Sequence, residues 1–352
     1  MGNADRAGVG YAGLSQGVCY FFVHALVELV CFTLLAGYFA LDGGIIWTMA
    51  LLFDFFAFVI QGPIGDLNRR CKTLDLGSIG TALMLAGVLM IRSSSGFPNV
   101  LGLVLLAVGN AFLHEAGAVS TTVMSGGKLL HGALFVAGGS FGLITGQFLG
   151  GALHIPKLWL LLPLAGIEVL VLLTNRRWLK RDVRYPAFDL VKNPDRHAAL
   201  VLAAFAVTAV RSFIGYAIPI SWKKELWQSF FLFGMMGLGK ALGGYLADRF
   251  GARRTGVWST LLCIPFLLFG KDLMLVSVFG VFCFSLTMSI TFGMLLSVIR
   301  ESPGSAFGVT TAALFTGLLP VFLFGSFGYL ANSILIVVLS LGSAYVLNRT
   351  LK

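Results

Sequence analysis

The sequence predicts an all-α membrane protein with twelve transmembrane helices in two six-helix, pseudo-symmetric bundles. Three observations lead there. Of 352 residues, 57% are hydrophobic and only 11% charged, whereas a soluble domain carries about 25% charged residues. A surface so poor in charge faces lipid, where a spanning backbone must be helical or a closed barrel. The apolar runs approach the roughly 20 residues a helix needs to cross, not the roughly ten-residue alternating segments of a barrel. Finally, the runs fall into two sets of six, each with the same charged punctuation after its second member.

In chain order, the first set spans 16–40, 44–65, 73–91, 98–122, 128–151 and 156–174. The first run is full length and holds His24 and Glu28, which argues against a cleaved leader. Next comes the longest polar stretch, NRRWLKRDVRYPAFDLVKNPDRH at 175–197, and then a second set at 198–219, 226–247, 255–270, 273–299, 305–328 and 331–348. The expected division is an N-terminal bundle at 1–174, a basic cytoplasmic linker at 175–197 and a C-terminal bundle at 198–352. With both termini inside, 18 of the 25 basic residues fall on the cytoplasmic side and five on the outer side. That asymmetry supports twelve crossings with cytoplasmic termini. It also accounts for the net charge of +10 without nucleic acid as a partner.

The five cysteines, Cys19, Cys31, Cys71, Cys263 and Cys283, form no Cys-x-x-Cys pair. Neither a disulfide framework nor a metal site is expected, and no cofactor is implied. A phosphate-cradling Gly-x-x-x-x-Gly-Lys-Ser/Thr is absent, which removes support for ATP-driven pumping.

The repeated punctuation reads QGPIGDLNRRCKT at 61–73 and GGYLADRFGARRT at 243–255. The second copy resembles the signature of the major facilitator superfamily of transporters, matching at Gly244, Asp248, Arg249, Gly251, Arg253 and Arg254. The first copy matches at Gly62 and Asp66, with Leu67, Asn68 and Arg69 in the middle positions. This resemblance covers the whole chain. It implies two bundles that rock about a shared site, and a charge-assisted lock between helices at each copy. The inequality of the copies implies that the second half carries more of the inner closure.

A narrower resemblance covers residues 109–151. The segment GNAFLHEAGAVSTTVMSGGKLLHGALFVAGGSFGLITGQFLGG is similar to the fosmidomycin-resistance type of facilitator efflux pump. His114, Glu115, Ser125, Gly126, Gly127, Phe135, Gly138, Gly139, Gly142 and Gly146 are among the matching positions, and His24 with Glu28 approximates that group's first-helix His-x-x-x-Asp. Glu115 follows His114 directly where the group has an intervening proline, and Gln147 stands where it has proline after the glycine.

Charge inside lipid is costly and marks functional positions. Glu28 and His24 lie one turn apart on one helix face, a pair suited to binding and releasing a proton. Asp54, within LLFDFFAF, has no basic neighbour in sequence and is a second candidate carrier. Arg211, inside the seventh run, suits a carboxylate or phosphonate of a substrate, or a salt bridge to Glu28, Asp54 or Glu168. His114, Glu115, Lys128 and His131 are expected as an ionic cluster at the inner mouth. Asp66, Arg69, Lys240, Asp248, Arg249, Arg253 and Arg254 are expected as the cytoplasmic lock. Gly138, Gly142, Gly146 and Gly150 repeat every fourth residue, a stripe for close helix packing that also suits a sliding interface.

The expected function is secondary active transport of a small organic solute by alternating access, as proton-coupled efflux. The protein would act as a monomer in the plasma (inner) membrane, with lipid, solute and protons as its partners. Uptake or symport on the same fold is the alternative. An intramembrane enzyme or a non-transporting receptor is the rival of a different class, although the His-Glu pairs lack metalloprotease spacing such as His-Glu-x-x-His.

Overall fold

Each apolar run forms helix. The structure, a computed structural model, describes residues 3–39, 45–71, 73–92, 96–175, 185–325 and 327–352. Among these the only strand-like feature is an isolated bridge between Val191 and Leu351. In chain order the helices are α1 (Asn3–Tyr38), α2 (Ile45–Asp54, a π-turn Phe55–Val59, then Gln61–Arg70), α3 (Leu76–Met90) and α4 (Phe97–Val123). They continue as α5 (Leu130–Gln147 and a π-turn Phe148–Ala152), α6 (Lys157–Leu160 and Leu161–Asn175), α7 (His197–Ala217) and α8 (Leu226–Phe250). The remainder are α9 (Ala252–Phe269), α10 (Met274–Ser285 and Met288–Val298), α11 (Pro303–Phe324) and α12 (Tyr329–Thr350).

Ten spans among the described residues are long and apolar enough to cross a membrane, so the chain is an integral membrane protein. Helix α3 is shorter, and the first turn of α9 carries Arg253 and Arg254. The first helix starts at Asn3, well before the expected residue 16, because the hydropathy that marks a span does not mark where helix begins. Lys72 and the linker residues 176–184 lie outside the described residues. Beyond them the linker is tied to the C-terminus, with Lys192 N donating to Thr350 O at 2.9 Å and Lys352 N to Leu190 O at 2.9 Å.

Local chemistry sets the helix ends that matter for the site. The Asp75 carboxylate accepts from Ser78 N at 3.1 Å and caps α3. Ser302 Oγ accepts from Ser305 N at 3.2 Å, starting α11 with Pro303 in its first turn. Gly251 takes φ +93°, a left-handed backbone that side chains rarely adopt. The charged punctuation therefore turns there and starts α9 directly.

Packing within the first half rests on the glycine stripe. A Cβ on Gly138, Gly142 or Gly150 would collide with the backbone carbonyls of Phe21, Ala25 or Thr33, and one on Gly146 would meet Leu29. The backbones of α1 and α5 are therefore in contact along four turns. The stripe thus packs α5 against α1, both in the first half of the chain.

Two seams join the halves. Along α2 and α11, Gly65 abuts Gly304 and Gly62 abuts Gly308, and Thr311 Oγ1 donates to Phe58 O at 2.9 Å. Along α5 and α8, Gly244 faces Leu129 and Ala133, and Gly237 faces Phe141. Large apolar side chains such as Leu162, Leu202, Phe269 and Leu330 face outward, as a lipid-contacting surface requires.

Overpacking costs about 1–3 kcal/mol where a well-packed site cannot yield. Gly142→Ala is therefore expected to lower the melting temperature of detergent-purified protein markedly. Gly342→Ala, which meets nothing within 4 Å, should leave it unchanged or raise it. Equal melting temperatures for the two variants would contradict the close α1–α5 contact.

Candidate functional site

Three buried titratable side chains converge between α1 and α4. His24 and Glu28 come from one face of α1, and His114 reaches them from α4. His24 Nε2 lies 2.8 Å from His114 Nε2, with ring centroids 4.3 Å apart. Glu28 Oε1 is 3.4 Å from His114 Nε2 and 3.7 Å from His24 Nε2. Asn110 Nδ2 donates to the same Oε1 at 3.1 Å.

The other imidazole nitrogens decide the chemistry. His24 Nδ1 is 2.8 Å from Phe135 O, and His114 Nδ1 is 2.9 Å from Asn110 O. A carbonyl only accepts, so each Nδ1 must donate. Two neutral rings would then turn bare Nε2 lone pairs toward each other at hydrogen-bond distance. One proton held between them satisfies both lone pairs, and the Glu28 carboxylate supplies the opposite charge.

The three donor atoms lie within 4.8 Å of one another, a set chemically able to bind a metal. However, two nitrogens at tetrahedral zinc, bound at about 2.0–2.1 Å, would stand about 3.3 Å apart. The observed 2.8 Å is the spacing of a hydrogen bond.

Aromatic rings close the cluster. The His24 and Phe135 rings are 4.9 Å apart, and Phe307 of α11 stacks on His114 at 6.5 Å. Gly139 makes room for the pair, because a Cβ there would strike the His24 ring. A crevice of about 1080 Å³ lies elsewhere, lined by Arg69, His197, Val201, Phe205 and Arg300 among others.

Three further charges stand apart from the cluster. Asp54, immediately before the π-turn of α2, has no hydrogen bond or ion pair among the described residues and lies within electrostatic reach of Glu28. Lys240 Nζ donates to Ser140 Oγ at 2.9 Å, linking α8 to α5. It feels the charges of both Arg211 and Glu28. Its hydrogen bond is thus to α5 rather than to Asp248, with which it was grouped in the expected lock.

Arg211 is buried in α7 and forms none of the salt bridges considered for it. Its Nη1 donates to Phe284 O at 2.5 Å and to Thr287 Oγ1, and its guanidinium lies 4.6 Å over the Phe284 ring. These partners flank the break in α10, where helix geometry frees backbone carbonyls that need a donor.

His114, Glu115, Lys128 and His131, expected together at the inner mouth, face different neighbours. Adjacent helical residues point about 100° apart. His114 turns to His24, while Glu115 turns to α11. Lys128 and His131 instead lie within electrostatic reach of Asp248.

The two punctuation copies behave differently. Asp248 accepts from Leu129 N at 2.8 Å and Leu130 N at 2.9 Å, placing its negative charge at the start of α5 across the seam. Asp66 instead bonds its own neighbours, Arg69 at 2.7 Å and Arg70 at 2.7 Å. Of the remaining basic residues, Arg253 Nε donates to Asn348 Oδ1 at 2.8 Å, Arg249 lies 6.0 Å from the Phe250 ring centroid, and Arg254 is exposed.

Asn110, Ser140 and Phe307 were not singled out from the sequence, and Phe135 only as a position matching the efflux-pump segment. Phe135 contributes through its backbone carbonyl, which no side-chain signal marks. Asn110 lies one turn before His114 on the same face, a spacing that could have found it.

No protein-family model and no curated protein sequence matches the chain. Among solved structures, it is similar to FucP, a Major Facilitator Superfamily (MFS) transporter, in the outward conformation. The TM-score is 0.61 and the identity 17%, over 95% of this chain and 98% of that one. It is similar also to the E. coli fucose:proton symporter FucP, with TM-score 0.61 and 16% identity over 95% and 98% of the two chains. At that identity the likeness is one of fold: the chain adopts the fold of an MFS transporter.

The unequal locks have a measurable consequence. Asp248→Ala removes an N-terminal helix cap, which costs about 1 kcal/mol, and is expected to lower the melting temperature in detergent. Asp66→Ala, whose partners are its own exposed neighbours, should leave the melting temperature unchanged. A larger loss for Asp66→Ala would overturn the asymmetry.

Proposed function

We propose that the chain is a secondary active transporter of a small organic solute, working by alternating access and coupled to protons. In this reading its twelve helices form two bundles, 1–174 and 198–352, joined by the basic linker 175–197. Both termini face the cytoplasm of a plasma (inner) membrane. The observation that carries the reading is the 2.8 Å contact between His24 and His114 beside Glu28, which accounts chemically for one exchangeable proton. Its stack against Phe307 links that proton to the opposite half. A change in the packing of the halves therefore changes the environment of the proton, which is what coupling requires.

Arg211 and Lys240 extend the reading to the solute. Both are cations inside the membrane, and neither has a carboxylate within salt-bridge distance among the described residues. A carboxylate or phosphonate group of the solute would supply the missing charge. Asp54, within reach of Glu28, is the second carrier in this scheme.

Efflux by proton antiport follows the sequence likeness of residues 109–151. Symport is the competing direction, favoured by the similarity to a fucose:proton symporter. The sign of flux separates them: with acid on one side of a proteoliposome, antiport moves solute toward the acid and symport moves it away.

Two outcomes test the proposal, using a solute chosen from small carboxylates and phosphonates by thermal shift, since ligands raise apparent stability. Glu28→Gln removes the countercharge of the histidine pair and is expected to abolish gradient-driven accumulation while retaining solute exchange. Accumulation against a gradient by this variant would remove Glu28 from the coupling role. Arg211→Gln should weaken binding of the anionic solute by about tenfold or more, the scale of a charged hydrogen bond. Unchanged affinity would show that Arg211 serves the α10 break alone.

A further inference from the structure

Glu115 is a buried titratable group that the scheme above does not use. It is fully buried, and neither carboxyl oxygen has a hydrogen-bond partner among the described residues. Its side chain crosses to the other half at the α2–α11 seam. A Cβ on Gly304 would strike Glu115 Oε2 and the Gly65 backbone together, so the carboxyl occupies space that only glycine leaves open.

Among the described residues, no hydrogen bond or ion pair balances a negative charge on it. Helix α11 carries no titratable side chain, and in its first turn Ser302 already holds Ser305 N. On α2, Arg69 and Arg70 both donate to Asp66 at an exposed end, while Asp54 has no bond to Glu115 among the described residues. The α1 groups His24 and Glu28 belong to the central cluster, as does His114 of α4 itself. On α5, His131 lies against Gly13 and within reach of Asp248, and α3 has no ionisable side chain. Nearby in the α10–α11 connection, Arg300 Nε donates to Ser297 O at 3.1 Å, and Glu301 is exposed. An ionised carboxylate with neither donor nor cation is excluded by desolvation, so the group is neutral here.

We propose that Glu115 is a second proton-binding site, occupied while the halves meet at Gly65 and Gly304 and emptied when that seam parts. Parting the seam lets water reach the carboxyl, which then ionises. The ionised form opposes reclosure until a proton returns. The seam thus closes over a bound proton, separate from the one held by the histidines. This rests on the proposed alternation of the two halves and is independent of the histidine pair.

The test is a distance measurement across the seam. Spin labels at Leu67→Cys and Ala198→Cys, exposed positions on the two halves, would be placed in a protein with Cys19→Ser and Cys71→Ser and reconstituted in lipid nanodiscs. From about pH 5 to about pH 9, the ratio of short to long distances should fall by up to about tenfold per unit above the carboxyl's midpoint. Glu115→Gln should hold the short distance throughout, and Glu115→Asp should restore pH dependence. The proposal fails if the Gln variant follows pH as its parent does. Distances that stay fixed in the parent at every pH, and on adding the solute, would overturn both this site and the alternation it rests on. Distances that respond to solute but not to pH would overturn the site alone.

Discussion

Lipid supplies no hydrogen bonds, and that constraint organises the interior of this protein. Every polar group placed among the helices must find its partner within the chain. His24 and His114 each spend one nitrogen on a backbone carbonyl, which leaves two lone pairs facing each other beside Glu28. Arg211 meets the same requirement at the break in α10, and Lys240 meets it at Ser140. Glu115 meets it only by remaining neutral. The site is thus a set of distinct solutions to one desolvation problem, and in the proposed scheme a mobile proton belongs to two of them.

Small residues convert this chemistry into a mechanical arrangement. The α1–α5 stripe brings the backbones of those helices into contact beside the cluster, leaving little room between them. At the α2–α11 seam, by contrast, Gly65, Gly62, Gly304 and Gly308 bring two halves together with few polar bonds, such as that from Thr311. A seam held mainly by close apolar contact can part without leaving many buried groups unsatisfied. The other seam carries a charge-assisted cap from Asp248, so the two sides of the interface differ in how firmly they close.

Much of the fold was legible in the sequence because hydropathy dictates where helices cross. The runs ending near Val123, Phe250 and Val298 match the helices to within a few residues. The His24–Glu28 pair was legible from its one-turn spacing, and the inequality of the two punctuation copies from the missing arginine and glycine in the first. Side-chain direction was not legible. His114 lies toward the inner end of its run, which suggested the inner mouth, yet its face of α4 points to α1. Lys240 was assigned to Asp248 by proximity along one helix, although its side chain crosses to another. Phe135 acts through a carbonyl, and the break in α10 that positions Arg211 leaves no Gly or Pro signal within FSLTM.

The central claim is that His24 and His114 share one proton balanced by Glu28. Nitrogen-15 solid-state NMR of histidine-labelled protein in lipid tests it most directly, with His24→Gln and His114→Gln used to assign the signals. The account predicts that the two Nε2 signals are coupled and intermediate between protonated and bare nitrogen, and that Glu28→Gln shifts them together toward neutral imidazole. Two independent neutral rings, unchanged in Glu28→Gln, would contradict it.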